Sequence, residues 1–445
     1  MKKFLSMALA VLMLVSLAAC GSPAVTPTPA ADNSPAPVSA APANTAEPVT
    51  IRLFTNLPDR SNGQGLIEQM LLDQYIAENP HVTVELETLD DESYRTKFKA
   101  YAAGSEMPDL VSIWGHPGFI DEVIAAGLLA ELDQSTYADY QFNDGALNSF
   151  TRGGKLYGMP RNTDVMGYYY NKAMFDANGW AVPETYEDML ALADEIAATG
   201  MIPLAMPGAD KWVLCNYLTD LMIKSNGPGS MNVMLDAIAQ KDWTDPYLMM
   251  GAKALQDTAN SSLFQRGFET SDYATALNLF SNGQAAMFYM GSWAMSLATN
   301  EDVPAEVRDN IRVFAMPVID GGRGLRTDIA AWNGGGYAVT EDSKVKDEAT
   351  ALLNYMFVPE NWNRLAWENN VCMSAQDFSQ YKTGNETPVQ LEFMEIVTSS
   401  TNISGTAIAG LSTAEYQTHT NDNVQALAIN ALTPEQFAQA QADAS

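Results

Sequence analysis

Ile51-Arg52-Leu53-Phe54 opens the stretch that decides the architecture, alternating as a strand does. A turn-rich segment, Asn56 to Gly65, follows it, and then Leu66, Ile67, Met70, Leu71 and Tyr75 fall on one helical stripe that Asn79-Pro80 ends. Val82, Val84 and Leu86 alternate as a second strand, Tyr94, Phe98 and Tyr101 mark a second helix, and Leu110 to Trp114 is an apolar third strand. The order is β-α-β-α-β. It predicts an α/β fold, a sheet with helices on its faces, in which ligands collect at the carboxyl ends of strands.

Toward the C-terminus, Thr185-Tyr186-Glu187-Asp188 reads as a capping box opening a helix that stops at Gly200, and Thr433-Pro434-Glu435-Gln436 marks another helix start. Gly334-Gly335-Gly336 precedes a short strand, Tyr337-Ala338-Val339, and a helix from about Val345 to Phe357. No repeat at a solenoid period is present. Toward the N-terminus, Lys2 and Lys3 precede an apolar run from Phe4 to Leu17, shorter than a membrane span, which predicts a secretory signal over residues 1–19. Leu17-Ala18-Ala19-Cys20 resembles the bacterial lipobox, which makes Cys20 the expected lipidation site. Residues 20–48 are then the lipidated cysteine and a tether too rich in Pro, Ala, Ser and Thr to bury a core. Such a chain reaches about 3.1 Å per residue when extended, enough to hold a domain away from a membrane.

The remaining residues, 49–445, exceed what one hydrophobic core supports, so two lobes are expected. The chain carries 24 Lys+Arg against 54 Asp+Glu, a formal charge of −30, which repels nucleic acid and anionic headgroups. With Cys20 assigned to lipid, Cys215 and Cys372 remain, far apart and without a CxxC, and are expected as buried free thiols. The three histidines, His81, His116 and His419, are too scattered for a metal site, and no metal or cofactor is expected. There is no GxSxG, HExxH, Walker A loop or complete GxGxxG; Gly322-Arg323-Gly324 lacks the third glycine. Adjacent acids such as Asp90-Asp91 or Asp121-Glu122 read as solvated surface, not as a glycosidase pair, so binding is expected in place of catalysis.

Several ordered motifs then converge. Met107-Pro108-Asp109-Leu110-Val111-Ser112-Ile113-Trp114 leads to Ala126-Gly127-Leu128-Leu129-Ala130-Glu131-Leu132; Gly154-Lys155-Leu156-Tyr157-Gly158-Met159-Pro160 leads to Tyr169-Tyr170-Asn171-Lys172 and Phe175; Pro183 to Asp188 follows, with Tyr186 where a tryptophan is usual. Phe280-Ser281-Asn282-Gly283-Gln284-Ala285-Ala286-Met287 with Gly291-Ser292-Trp293 is the most specific of the set. Over most of residues 50 to 440 the chain resembles the extracellular solute-binding proteins of family 1, the maltose-binding-protein-like group. That resemblance implies a periplasmic-binding-protein-like type II fold of two discontinuous α/β lobes: 49–161 plus 334–380, and 164–333 plus 381–445. The crossings near Arg161 to Asp164, Trp332 to Gly335 and Tyr381 would form the hinge. It further implies a carbohydrate ligand, an ABC importer whose permease subunits receive it, a monomer, and a place on the outer face of the cytoplasmic membrane through the lipid anchor alone.

A sugar offers an apolar C–H face and a fringe of hydroxyls, so its site needs aromatic rings and planar polar groups. Of the eight tryptophans, the resemblance favours Trp293 after the Gly-Ser step and Trp114 at the end of its strand. Trp332 with Asn333 stands at the second crossing, and Trp212 follows the loop Pro207 to Lys211. Asn56, Asp59, His116, Arg161, Asn162, Asp164 and Tyr416 complete the candidates for hydroxyl contacts. Pro117 follows His116 where the maltose-binding pattern has an acid, which argues against maltodextrin itself. Trp180, Trp243, Trp362 and Trp367 are expected to pack. A peptide, a phosphate ester or a uronate on the same fold, and a sensor or adhesin without a permease, stay open as alternatives. Arg161 is the residue that favours an acidic sugar.

Overall fold

The computed structural model describes residues 47–445; Cys20 and most of the tether lie outside them. The opening stretch folds as the periodicity predicts: β1 (Val49–Thr55), α1 (Gly63–Glu78), β2 (Val82–Thr88), α2 (Asp91–Gly104), β3 (Leu110–Trp114) and α3 (Pro117–Ala125). α1 buries Ile67, Leu71, Leu72 and Tyr75 on the sheet, and α2 buries Tyr94 and Phe98. The five strands of this first sheet run in the order Val82–Thr88, Val49–Thr55, Leu110–Trp114, Gly335–Val339, Met159–Pro160. β1 is parallel to β2 and β3, but Gly335–Val339 enters antiparallel to β3, so a strand from late in the chain completes the early sheet.

A second, six-stranded sheet has at its centre Asp164–Asn171, whose eight residues are all buried. It pairs antiparallel with Ala285–Gly291, Ile311–Phe314 and Asp328–Trp332. Each sheet has its own hydrophobic core: Phe54, Leu110, Tyr337 and Trp362 belong to one, Tyr168, Tyr217, Phe288 and Trp243 to the other. The chain passes between them at Arg161–Thr163, at Asn333–Gly334, and between Val371, in the first core, and Val389, in the second. Both capping boxes read from the sequence, at Thr185 and Thr433, form, and a third at Thr387 opens helix Pro388–Thr398. Cys215 and Cys372 are free and buried, one in each core. Among the described residues no helix is long and apolar enough to cross a membrane, and no cluster of His, Cys, Asp or Glu suits a metal.

Candidate ligand-binding site

The three crossings are laced into one floor. The Thr163 amide donates to the Met373 carbonyl (2.9 Å), the Arg161 amide to that of Gly335 (2.8 Å), and the Thr163 hydroxyl to Asn333 Oδ1 (2.9 Å). Asn162 bridges to Ser374 and its side-chain amide donates to Asp164. Asp164 pairs in register with Trp332 and accepts from the Gly334 amide. Burial pushes its carboxyl up to about 7, against the opposing pull of Arg161.

Arg161 is 3 % exposed, its guanidinium 5.1 Å from the Tyr337 ring centroid and in reach of Asn56 Oδ1 (3.3 Å). Its Nε and Nη1 have no partner, an unspent pair of charged donors. Asn56 in turn donates to Asp91 (2.6 Å). Beneath them lies Glu68, fully buried on α1, which accepts from Thr55 (2.9 Å), Arg60 (2.8 Å) and the Tyr337 hydroxyl. A buried carboxylate needs such a full set of donors to stay in the core.

Three predicted tryptophans meet beside this floor. Trp293 opens the 3₁₀ turn Ser292–Ala298, Trp332 ends its strand, and Trp212 lies in the first turn of helix Lys211–Asn226. The Trp293 ring centroid is 5.8 Å from that of Trp212, at 49°, and 6.4 Å from that of Trp332, at 71°. All three are only partly buried, so the rings keep open faces. Trp212 is held by its surroundings: Lys211 pairs with Asp422 (2.6 Å) and Gln425 donates to the Gly208 carbonyl (2.9 Å), both from helix Ala414–Ala428. A cavity of about 470 Å³ opens between Ser61–Leu66 at the start of α1 and Ser296–Asp302 at the end of the Trp293 turn. Glu368, Asn369 and Val371 complete its lining, and neither the three tryptophans nor Arg161 lines it, so it is a space next to the aromatic cluster and not the cluster's own pocket.

Sequence reading alone did not find two glycines that set the rings. An added Cβ on Gly291 would come within 2.1 Å of the Trp293 indole, and one on Gly334 within 2.4 Å of Trp332 Nε1. The signal was available as a mirrored pattern, Gly-Ser-Trp at 291–293 and Trp-Asn-Gly at 332–334. Other candidates have neighbours of their own. Trp114 carries the Arg95 guanidinium 3.9 Å over its ring and packs on Phe119. Asp59 is exposed and accepts from the amides of Ser61 and Asn62 (2.9 and 3.1 Å), shaping the loop before α1. His116 lies against the second lobe at the start of α3, and Tyr416, 1 % exposed, has its ring in the second core. Trp243, Trp362 and Trp367 are buried, as their packing role requires.

The family model described as bacterial extracellular solute-binding protein matches residues 60–361, more than half of the chain. The chain belongs to this family. As a solute-binding protein it is 26% identical over 291 residues to the multiple sugar-binding protein of Streptococcus mutans, covering 64% of this chain and 66% of that one. The alignments span less than two thirds of the first curated relatives: 66%, 52% and 45% of their lengths. Among solved structures, a protein from a study of xylan utilization by Caldanaerobius polysaccharolyticus superposes with a TM-score of 0.80 at 24% identity, covering 88% of this chain and 99% of that one. A chitin oligosaccharide binding protein superposes with 0.78 at 24% identity, covering 89% and 98%. At these identities the likeness establishes the fold, the type II periplasmic-binding-protein-like arrangement of two α/β lobes.

Proposed function

We propose that this solute-binding protein captures a carbohydrate between its lobes and delivers it to an ABC importer. The observation that carries the reading is the convergence of Trp212, Trp293 and Trp332, from three separate segments, beside Arg161 with two unspent donors. Stacked rings take the C–H face of a sugar and planar donors take its hydroxyls. Lobe one comprises 49–161 plus 334–380 and lobe two 164–333 plus 381–445, with the crossings as hinge. Ligand contacts to both lobes exist together only in the closed state, so binding shifts the population toward closure. No bond is made or broken. The chain works as a monomer, tethered outside the cytoplasmic membrane through lipid on Cys20, and its closed form docks on separate permease subunits. The name of the Streptococcus relative supports the sugar class.

A thermal-shift screen against mono- and oligosaccharides, sugar acids, amino acids and peptides tests this reading, because a binder stabilises the fold by mass action. A sugar class that raises the melting temperature, with the shift lost in Trp293→Ala, supports it. A response to peptides or phosphate esters alone overturns the carbohydrate assignment. A response confined to sugar acids, abolished by Arg161→Met, identifies the uronate alternative.

A further inference from the structure

The lobes also meet away from the hinge. The turn His116-Pro117-Gly118 of lobe one lies against Ala409–Gln417 of lobe two. An added Cβ on Gly410 would stand 3.1 Å from His116 Cγ, and one on Gly118 would stand 3.3 Å from the Ser412 carbonyl oxygen and 3.4 Å from Gln417 Cβ. Gly118 therefore lets its backbone come close to that of Ala409 and Ser412, and Gly410 leaves room for the His116 ring. His116 Nδ1 is sealed in this seam without a hydrogen-bond partner.

The charged groups facing the imidazole are both cations: Arg95 from α2 and Arg152 from the hairpin Thr151–Arg152. Arg152 is partly neutralised by Asp121 at 2.6 Å. Lobe two brings Gly410 and the nearby Thr406 hydroxyl. On its helix Ala414–Ala428, Glu415 and His419 face one another at 3.8 Å on the exposed side. Burial, with Arg95 and Arg152 adding to it, pulls His116 down to about 3.

We propose that this contact is a latch: the lobes close fully only while His116 is neutral, and acidification opens them. The latch rests on the two-lobe closure described above. With the lobes apart, Gly410 leaves the imidazole and water reaches Nδ1, so protonation costs less there, although Arg95 and Arg152, both on lobe one, stay beside it. The closed state therefore loses advantage as pH falls, to the extent that lobe two supplies the burial. Asp210 acts in the opposite sense. Burial, then Glu92, Asp272 and Asp91, raise it to about 6, so acid relieves repulsion between the lobes there. Only a comparison at position 116 isolates the latch.

The test places spin labels at Lys99→Cys, exposed on α2, and Asn282→Cys, exposed after helix Tyr273–Ser281, in the full chain carrying Cys20→Ser. Distance distributions are recorded at about pH 7.5 and about pH 4.5 for the chain with His116 and for His116→Gln and His116→Asn, each verified as folded by circular dichroism. The expected result is a shift toward longer distances on acidification with His116 present, beyond that of either variant. A shift no larger than the variants' overturns the latch. Closure on adding a sugar from the thermal-shift screen is read from the same labels at the higher pH, so the receptor reading stands or falls separately.

Discussion

Trp293 folds back over Gly291, two residues before it, so closely that a Cβ there would come within 2.1 Å of the indole. There, over the end of the strand Ala285–Gly291, the ring lies beside Trp212 and Trp332. Gly291→Ala should displace it, at a cost of about 1–3 kcal/mol for overpacking. Calorimetric titration with a sugar found by the screen should show weakened binding approaching that of Trp293→Ala. Binding equal to that of the native chain would mean that the seat does not matter.

Tyr337 and Glu68 are buried partners, and Glu68 also holds Thr55 and Arg60. Tyr337→Phe removes one donor from a carboxylate that cannot reach water. Urea denaturation should show a loss of about 1.5–3 kcal/mol, the usual worth of a hydrogen bond to a charged group. Arg60→Met should cost at least as much, since it leaves the buried charge without its cation.

The pH dependence of stability has a definite sign. Burial raises Asp164 to about 7, Glu392 to about 7 and Asp220 to about 6. A carboxyl raised in the folded state contributes stability that is complete below its unfolded value and is lost as pH rises through the folded one. Melting temperature should therefore climb as pH falls from about 8 to about 6. Asp164→Asn should flatten that rise, whereas an unchanged profile would remove Asp164 as its source. Below about 6.5, His116 opposes the trend, because its folded value is depressed.

Cys215 and Cys372 lie in different cores, and burial pushes both thiols up. Neither should react with a thiol reagent in the native chain, and both should react in urea. Reaction of either at native rates would show that its core opens.

How much of this was legible beforehand differs by element. α1 and α2, β1 to β3 and the capping boxes at Thr185 and Thr433 were read correctly because each depends on neighbours a few residues apart. The sequence by itself determined the alternation of strands and helices, the need for two cores, and which tryptophans stand after strand ends or loops. The family resemblance already returned residues 334–380 to the first lobe; only the tertiary structure decided that Gly335–Val339 lies antiparallel beside Leu110–Trp114, and that Trp212, Trp293 and Trp332 share one cluster. It also decided that Trp114 is roofed by Arg95, that Tyr416 faces a core, and that His116 meets Gly410. Periodicity reports which side of an element is apolar, but not which distant element covers it. That choice is made when burial of the whole chain is satisfied at once, and long-range contacts leave no local mark in the sequence.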